Sequence, residues 1–356
     1  DGLKMDRIRR HAAVTAKIKA LEGRFLTDGD YISLLRMKTV TECAGYLKEN
    51  TSYSKVLAEA EIHTIHRGAL EGLIKQRIIE NMDRIMHYYS GSYRDFIRTF
   101  YAKYEIEDLK DLAREVYNKK EIKNYEDNVF VGKFSKVEPR KVFEAKSARD
   151  IIQALSDTAF SKYLCPLLDE NKGENLFRFE MALDMAYYSI LRQEWDRLAP
   201  ADQETIRHAF GIFGDILNIQ WIYRGKKFYG IKPEILLNYT IKLYYRLNFK
   251  QIKELCYEER LSDFLDKARE TEYGFLSKED ETTDIFMDRR MYRYLYFKLK
   301  SLDKNTSMNI INAVAYILLL EFEVRDIISI IEIIRYQVPE DQGKKYLIKK
   351  LSKGAI

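Results

Sequence analysis

His63 and His66 stand three residues apart beside Glu61, a spacing that places both imidazoles on one helical face and could begin a metal site. No third ligand follows at a convincing spacing, so the pair reads as two surface histidines. Nucleophilic chemistry has less support still. No serine lies in a Gly-x-Ser-x-Gly elbow, and Cys43, Cys165 and Cys256 lack any local signature that would raise them above packed thiols. The sequence holds no glycine-rich phosphate loop. Arg224-Gly225-Lys226-Lys227 lacks the strand such a loop follows, and reads as a basic turn after a helix. Glu258-Glu259 and Glu279-Asp280-Glu281 read as solvated faces or loops. No catalytic residue, cofactor or metal is expected.

The carboxylates that do stand out belong to a repeated pattern. Glu105-Ile106-x-Asp108-Leu109-x-x-Leu112, Asp215-Ile216-x-Asn218-Ile219-x-x-Ile222 and Glu323-Val324-x-Asp326-Ile327-x-x-Ile330 share one order of acid, aliphatic, Asp/Asn and aliphatics, and start 110 and 108 residues apart. At about 100° per residue the aliphatics form one stripe, with the acid inside it and the Asp/Asn at its edge. A carboxylate inside an apolar stripe needs a hydrogen-bonding partner, so Glu105, Asp215 and Glu323 read as structural. The edge residues Asp108, Asn218 and Asp326 are expected to point away from each core and to offer polar contacts to a partner, or else to bond neighbouring turns or bundle helices.

A second pattern repeats independently. Thr51-Ser52-Tyr53-Ser54-Lys55-Val56-Leu57 matches Thr158-Ala159-Phe160-Ser161-Lys162-Tyr163-Leu164, with a fainter copy expected at Leu261-Ser262-Asp263-Phe264-Leu265. Two motifs recurring in one order at nearly one period imply three copies of a supersecondary unit.

Only 5 prolines in 356 residues and little strand-like alternation point to an all-α chain. The spacing predicts helices over Lys4–Gly23, Tyr31–Leu35, Thr39–Leu47, Tyr53–Ala60, Ile62–Tyr88 and Tyr93–Tyr117, then a boundary within Asn118–Ser147. The plan repeats as small helices over 148–168 with long ones at Glu174–Leu198 and Gln203–Arg224. It repeats again as small helices over 235–270 with Asp284–Lys300 and Asn305–Arg335, the last with a break expected near Glu321. Three lobes follow: 1–130, 131–232 and 233–356.

Apolar residues make up 46% of the chain, enough for three cores, and 60 Lys+Arg against 55 Asp+Glu leaves only +5, spread rather than gathered. That is a poor footprint for nucleic acid. Three distant cysteines suggest neither a disulfide framework nor a zinc site. No apolar N-terminal signal is seen, and the greasiest window, Ile310–Leu320, is too short to span a bilayer. The 26 tyrosines suit half-buried helix surfaces.

The whole chain resembles the C subunit of prokaryotic V/A-type rotary ATPases, which is the d subunit of the eukaryotic enzyme. The residues that carry the likeness are Ala16-x-x-x-Ala20-Leu21-Glu22-Gly23-x-Phe25-Leu26 with Asp30-Tyr31-x-x-Leu34, then Leu47-x-x-x-Thr51-x-Tyr53-x-x-x-Leu57. Arg224-Gly225-Lys226-Lys227-Phe228-Tyr229-Gly230 with Pro233-Glu234 adds to it, as does Glu323–Asp326. The resemblance implies a non-catalytic rotor part: three similar helical-bundle lobes in a pseudo-threefold funnel that receives the central shaft, subunits D and F. It implies a seat on the membrane proteolipid ring of c/K subunits at the cytoplasmic face, passing torque so that ATP hydrolysis drives proton or sodium movement. An all-α interaction scaffold unrelated to ATPases is the alternative.

Overall fold

Helix starts coincide with residues able to occupy the unpaired N–H groups of a first turn. The computed structural model describes residues 2–120, 122, 128–133, 135–168, 176–277 and 284–351, and among them it is all helical, with sixteen α-helices and no strand. In order come α1 Gly2–Glu22, α2 Asp28–Leu35, α3 Val40–Asn50, α4 Arg67–Met86, α5 Gly91–Tyr117, α6 Pro139–Phe143, α7 Ala148–Ala154 and α8 Ser161–Leu164. Then follow α9 Leu176–Trp195, α10 Pro200–Tyr229, α11 Pro233–Asn238, α12 Phe249–Tyr257, α13 Leu261–Arg269, α14 Asp284–Asn305, α15 Ile310–Arg335 and α16 Glu340–Gly343. Thr27, Ser147, Asn248 and Asn309 each close a reciprocal capping box at the start of α2, α7, α12 and α15.

One order of elements recurs three times. Short helices and a 3-10 turn lead into two long helices. The long pairs are α4–α5, α9–α10 and α14–α15, as the spacing predicts, although several boundaries move. Residues 53–60 form a 3-10 turn and further turns instead of an α-helix. The next helix begins at Arg67 because the His66 imidazole accepts the Ala69 N–H at 3.2 Å and caps it. The acidic run at 279–281 and the expected helix start at Glu174 lie outside the described residues.

Two compact units partition the chain, Asp1–Ser90 with Thr283–Ile356, and Gly91–Thr282. In the first, α15 is the core: nearly every residue from Ile310 to Ile334 is buried, and α1, α2, α3, α4 and α14 pack around it. The greasy window is therefore a central helix, and among the described residues no helix is long and apolar enough to cross a membrane. The expected break near Glu321 does not occur, since its carboxylate accepts from Arg325 Nε one turn on at 2.9 Å. In the second unit α5 packs against α9, and α10 packs against α9, α12 and α13.

One correction concerns the stretch around Gly211–Gly230. The Arg224-Gly225-Lys226-Lys227 run is not a turn; it lies inside α10, which ends only at Gly230 in a left-handed cap with φ 55°. Gly225 lets Leu236 and Phe177 seat against the helix, since a Cβ there would stand 2.5 Å from Leu236 Cδ2. Lys226 Nζ donates to the carbonyls of Cys256 and Glu258, at 2.6 and 2.7 Å, so a cation sits on the carboxyl end of α12. Upstream, Gly211 and Gly214 open a groove in α10 for the loop after α11. A Cβ on Gly211 would meet Tyr245 Cβ at 2.5 Å, and one on Gly214 would meet Leu243 and Ile241 at 3.2 and 3.3 Å. Gly211→Ala should therefore destabilise the fold by about 1–3 kcal/mol through overpacking, while raising intrinsic helix propensity. Urea unfolding measures the sum, and a stabilised variant would rule out the close approach.

Candidate functional site

The repeated pattern is a set of three loop clamps. Asp108 on α5, Asn218 on α10 and Asp326 on α15 each accept a backbone N–H from a loop residue further along the chain. Phe130 N reaches Asp108 Oδ2 at 2.9 Å, Ile241 N reaches Asn218 Oδ1 at 2.7 Å, and Ile348 N reaches Asp326 Oδ1 at 2.6 Å, at separations of 22, 23 and 22 residues. Asn218 also donates through Nδ2 to the Ile241 carbonyl at 2.9 Å, and Asp326 takes a second amide from Lys349 at 2.9 Å.

The companion acid one turn earlier holds a second point. Glu105 Oε1 accepts from Gly132 N and Ser135 Oγ, both at 2.7 Å. Asp215 takes the amides of Tyr245, Arg246 and Leu247 and the Tyr273 hydroxyl. Glu323 takes the Leu26 amide at 2.6 Å and the Tyr53 hydroxyl at 2.9 Å. As the apolar stripe requires, all three acids are buried and hydrogen-bonded.

Asp108, Asn218 and Asp326 are equally buried, at 1%, 0% and 1% exposure, so the expectation that they point away from the core is corrected. Their angular position is at the edge of the stripe; the loop folding over that edge brings them inside. Their acceptors face main-chain amides of the covering loops.

The sequence reading missed the hydroxyl donors. Thr271-Glu272-Tyr273 is the third copy of the Thr-x-aromatic motif: in Thr51-Tyr53, Thr158-Phe160 and Thr271-Tyr273 alike, the threonine Oγ1 accepts the aromatic residue's N–H at 3.2 Å. The expected copy at 261–265 instead begins α13. The signal was in the sequence as Thr-x-aromatic at 107 and then 113 residues. Phe160 has no hydroxyl, and Ser135 provides the side-chain donor to Glu105 in its stead.

Burial raises the carboxyl pKa of Glu105, Asp215 and Glu323, with the hydrogen bonds opposing it. Asp326 is pushed up to about 7 by burial, against the pull of the Lys349 and Ile348 amides and the Tyr31 hydroxyl. Nothing in this arrangement resembles a reaction centre. Burial holds the thiols of Cys43 and Cys256 up at about 12, which leaves them unreactive near neutrality. His63 and His66 are exposed, His66 being the cap of α4. Among the described residues no group of three or more His, Cys, Asp or Glu side chains is placed to hold a metal ion.

Residues 14–346 match the family described as ATP synthase (C/AC39) subunit. Its relatives include proteins named as the C subunit of A-type ATP synthases. The one from Methanocaldococcus jannaschii is 22% identical over 330 residues, covering 90% of this chain and 82% of that protein. The Methanosarcina acetivorans protein is 22% identical over 313 residues, covering 86% and 84%. The Methanosphaera stadtmanae protein is 26% identical over 267 residues, covering 73% of this chain and 65% of its own length.

Replacing Glu323 by Leu leaves the Leu26 amide and Tyr53 hydroxyl without an acceptor, which should cost about 1–3 kcal/mol for each group left unpaired. An unchanged urea midpoint would contradict the clamp. The raised Asp326 pKa has its own signature. The folded chain keeps that proton where the unfolded chain has released it. Its contribution is therefore full below about pH 4 and lost as pH rises through about 7. Wild type should lose stability relative to Asp326→Asn between pH 5 and pH 8, by about 1–4 kcal/mol. A difference that stays constant, or moves the other way, would show that the amide donors outweigh burial.

Proposed function

The chain belongs to the ATP synthase (C/AC39) subunit family, and from that membership we propose that it is the non-catalytic central-stalk socket of a rotary V/A-type ATPase. In this role it joins shaft subunits D and F to the membrane proteolipid ring of c/K subunits. It sits at the cytoplasmic face through protein contacts, and ATP hydrolysis in the catalytic head is coupled to proton or sodium transport through it. Three lobes, 1–130, 131–232 and 233–356, surround a pseudo-threefold axis in a funnel that receives the shaft.

The observation that carries the reading is the recurrence of the same loop clamp on α5, α10 and α15. A part that transmits torque must hold its loops against its long helices under load. Buried carboxylate and amide groups that accept backbone N–H bonds do that more rigidly than surface ion pairs, which contribute about 0–1 kcal/mol each. Asp108, Asn218 and Asp326 serve the shaft from behind, by fixing the loops whose outer residues meet it; polar contact spread over the lobes lets the parts be assembled and separated. The match with the family over most of the chain sets aside an unrelated scaffold.

Assembly of the complex with and without this chain tests the role. With it, the head and shaft should copurify with the proteolipid ring, and ATP hydrolysis should acidify or sodium-load vesicles. Without it, hydrolysis by the head and shaft should persist while ion transport falls to background. Coupled transport in the absence of the chain would refute the proposal.

A further inference from the structure

The third clamp differs from the other two in one respect. The backbone amides held by Glu105 with Asp108, and by Asp215 with Asn218, come in each case from a single stretch of chain between two neighbouring helices. On α15 the two points are taken by segments far apart in sequence: Asp326 holds Ile348 and Lys349, and Glu323 holds Leu26. These halves are joined without a peptide bond. Lys349 Nζ donates to the Leu26 carbonyl at 2.9 Å across 323 positions, pairs with Asp28 at 3.0 Å, and lies 4.8 Å from the centre of the Tyr31 ring.

The segment that supplies the later half is read largely through its main chain. Arg293 Nε donates to the Leu347 carbonyl at 2.8 Å and its Nη2 to the Lys344 carbonyl at 3.3 Å. Arg289 Nη1 donates to the Lys345 carbonyl, while Asp326 takes the next two amides. Backbone carbonyls thus meet guanidinium groups of α14 and backbone amides meet a carboxylate of α15. Side-chain selection is added by Leu347 and Ile348, both buried, by the Tyr346 ring stacked on Phe286 at 5.8 Å, and by Lys349. Main-chain bonds with pockets for particular side chains are how proteins bind extended peptides.

We propose that this face of α14 and α15 is a recognition site for a short peptide segment that leaves a 3-10 turn through its main-chain groups, with two consecutive aliphatic residues followed by lysine. In this structure the chain's own Leu347-Ile348-Lys349 fills it. The strap detaches and returns as a unit while α15 stays folded, which makes the junction of the first and last repeats a clasp. The inference rests on the loop geometry and is independent of the rotor role.

Hydrogen exchange on the intact chain reads the opening directly. The Ile348 and Lys349 amides should exchange at least about 100-fold faster than those of Ile327 and Ile330 in α15, because local opening needs less free energy than global unfolding. Exchange of all four at one common rate would overturn the proposal. Recognition is read with a fluorescent peptide of residues 343–351. Full-length Leu347→Asp, which disables its own strap and leaves α14 and α15 unaltered, should bind the peptide at least about tenfold more tightly than the parent, whose site is filled. No binding by the folded variant, or equal binding by both, would overturn it. If the variant does not fold, the exchange rates of the parent decide.

Discussion

A carboxylate or amide placed inside an apolar helix stripe is the constraint on which the rest depends. Such a group costs free energy unless its acceptors are used, and a helix cannot use them itself because its own amides are already committed. The donors must come from chain that is not in a regular helix. On α5 and α10 they come chiefly from the connecting loop, and on α15 from the chain after it together with the turn at Leu26; these amides would otherwise be buried without partners. Each solves the other's problem: the long helix needs donors, the loop needs acceptors, and the pairing fixes where the loop lies. Removing one side alone leaves the other unpaired, so the pair persists while the residues around it drift.

That drift is visible across the three copies. Tyr53 and Tyr273 reach their acids with a hydroxyl, whereas Phe160 packs without one and a serine in the loop provides the bond. Asp gives way to Asn at 218, where the loop turns both its N–H and its carbonyl of Ile241 toward the helix; an amide satisfies both and an aspartate could not. Glycines line the helix only in the middle copy, where the loop runs close enough to put Tyr245 against Gly211. At the position that matches Gly214 in the first copy, Tyr104 stacks on Phe130 at 4.9 Å. The clamp is kept and its packing is negotiated locally.

The same arrangement bears on the proposed role. Loops held by several hydrogen bonds to buried groups are shielded from competition by water, so their geometry survives changes in the surface they present. Exposed loop residues can therefore vary without loosening the loop.

The sequence determined the helical class, the recurring motif and the long helices, because each rests on local periodicity: a 3.6-residue stripe, a capping residue, a motif returning at about 110 positions. It also determined that Glu105, Asp215 and Glu323 are inside, since a carboxylate within a stripe has nowhere else to face. The tertiary structure alone decided the fate of Asp108, Asn218 and Asp326. An edge position is solvent or interior according to what covers it, and the cover arrives from about 22 residues away, or for Glu323 from the opposite end of the chain. The Arg224-Gly225-Lys226-Lys227 run reads as a turn on composition, yet Gly225 there admits Leu236 and the helix continues. Local propensity cannot register a neighbour that local sequence does not contain.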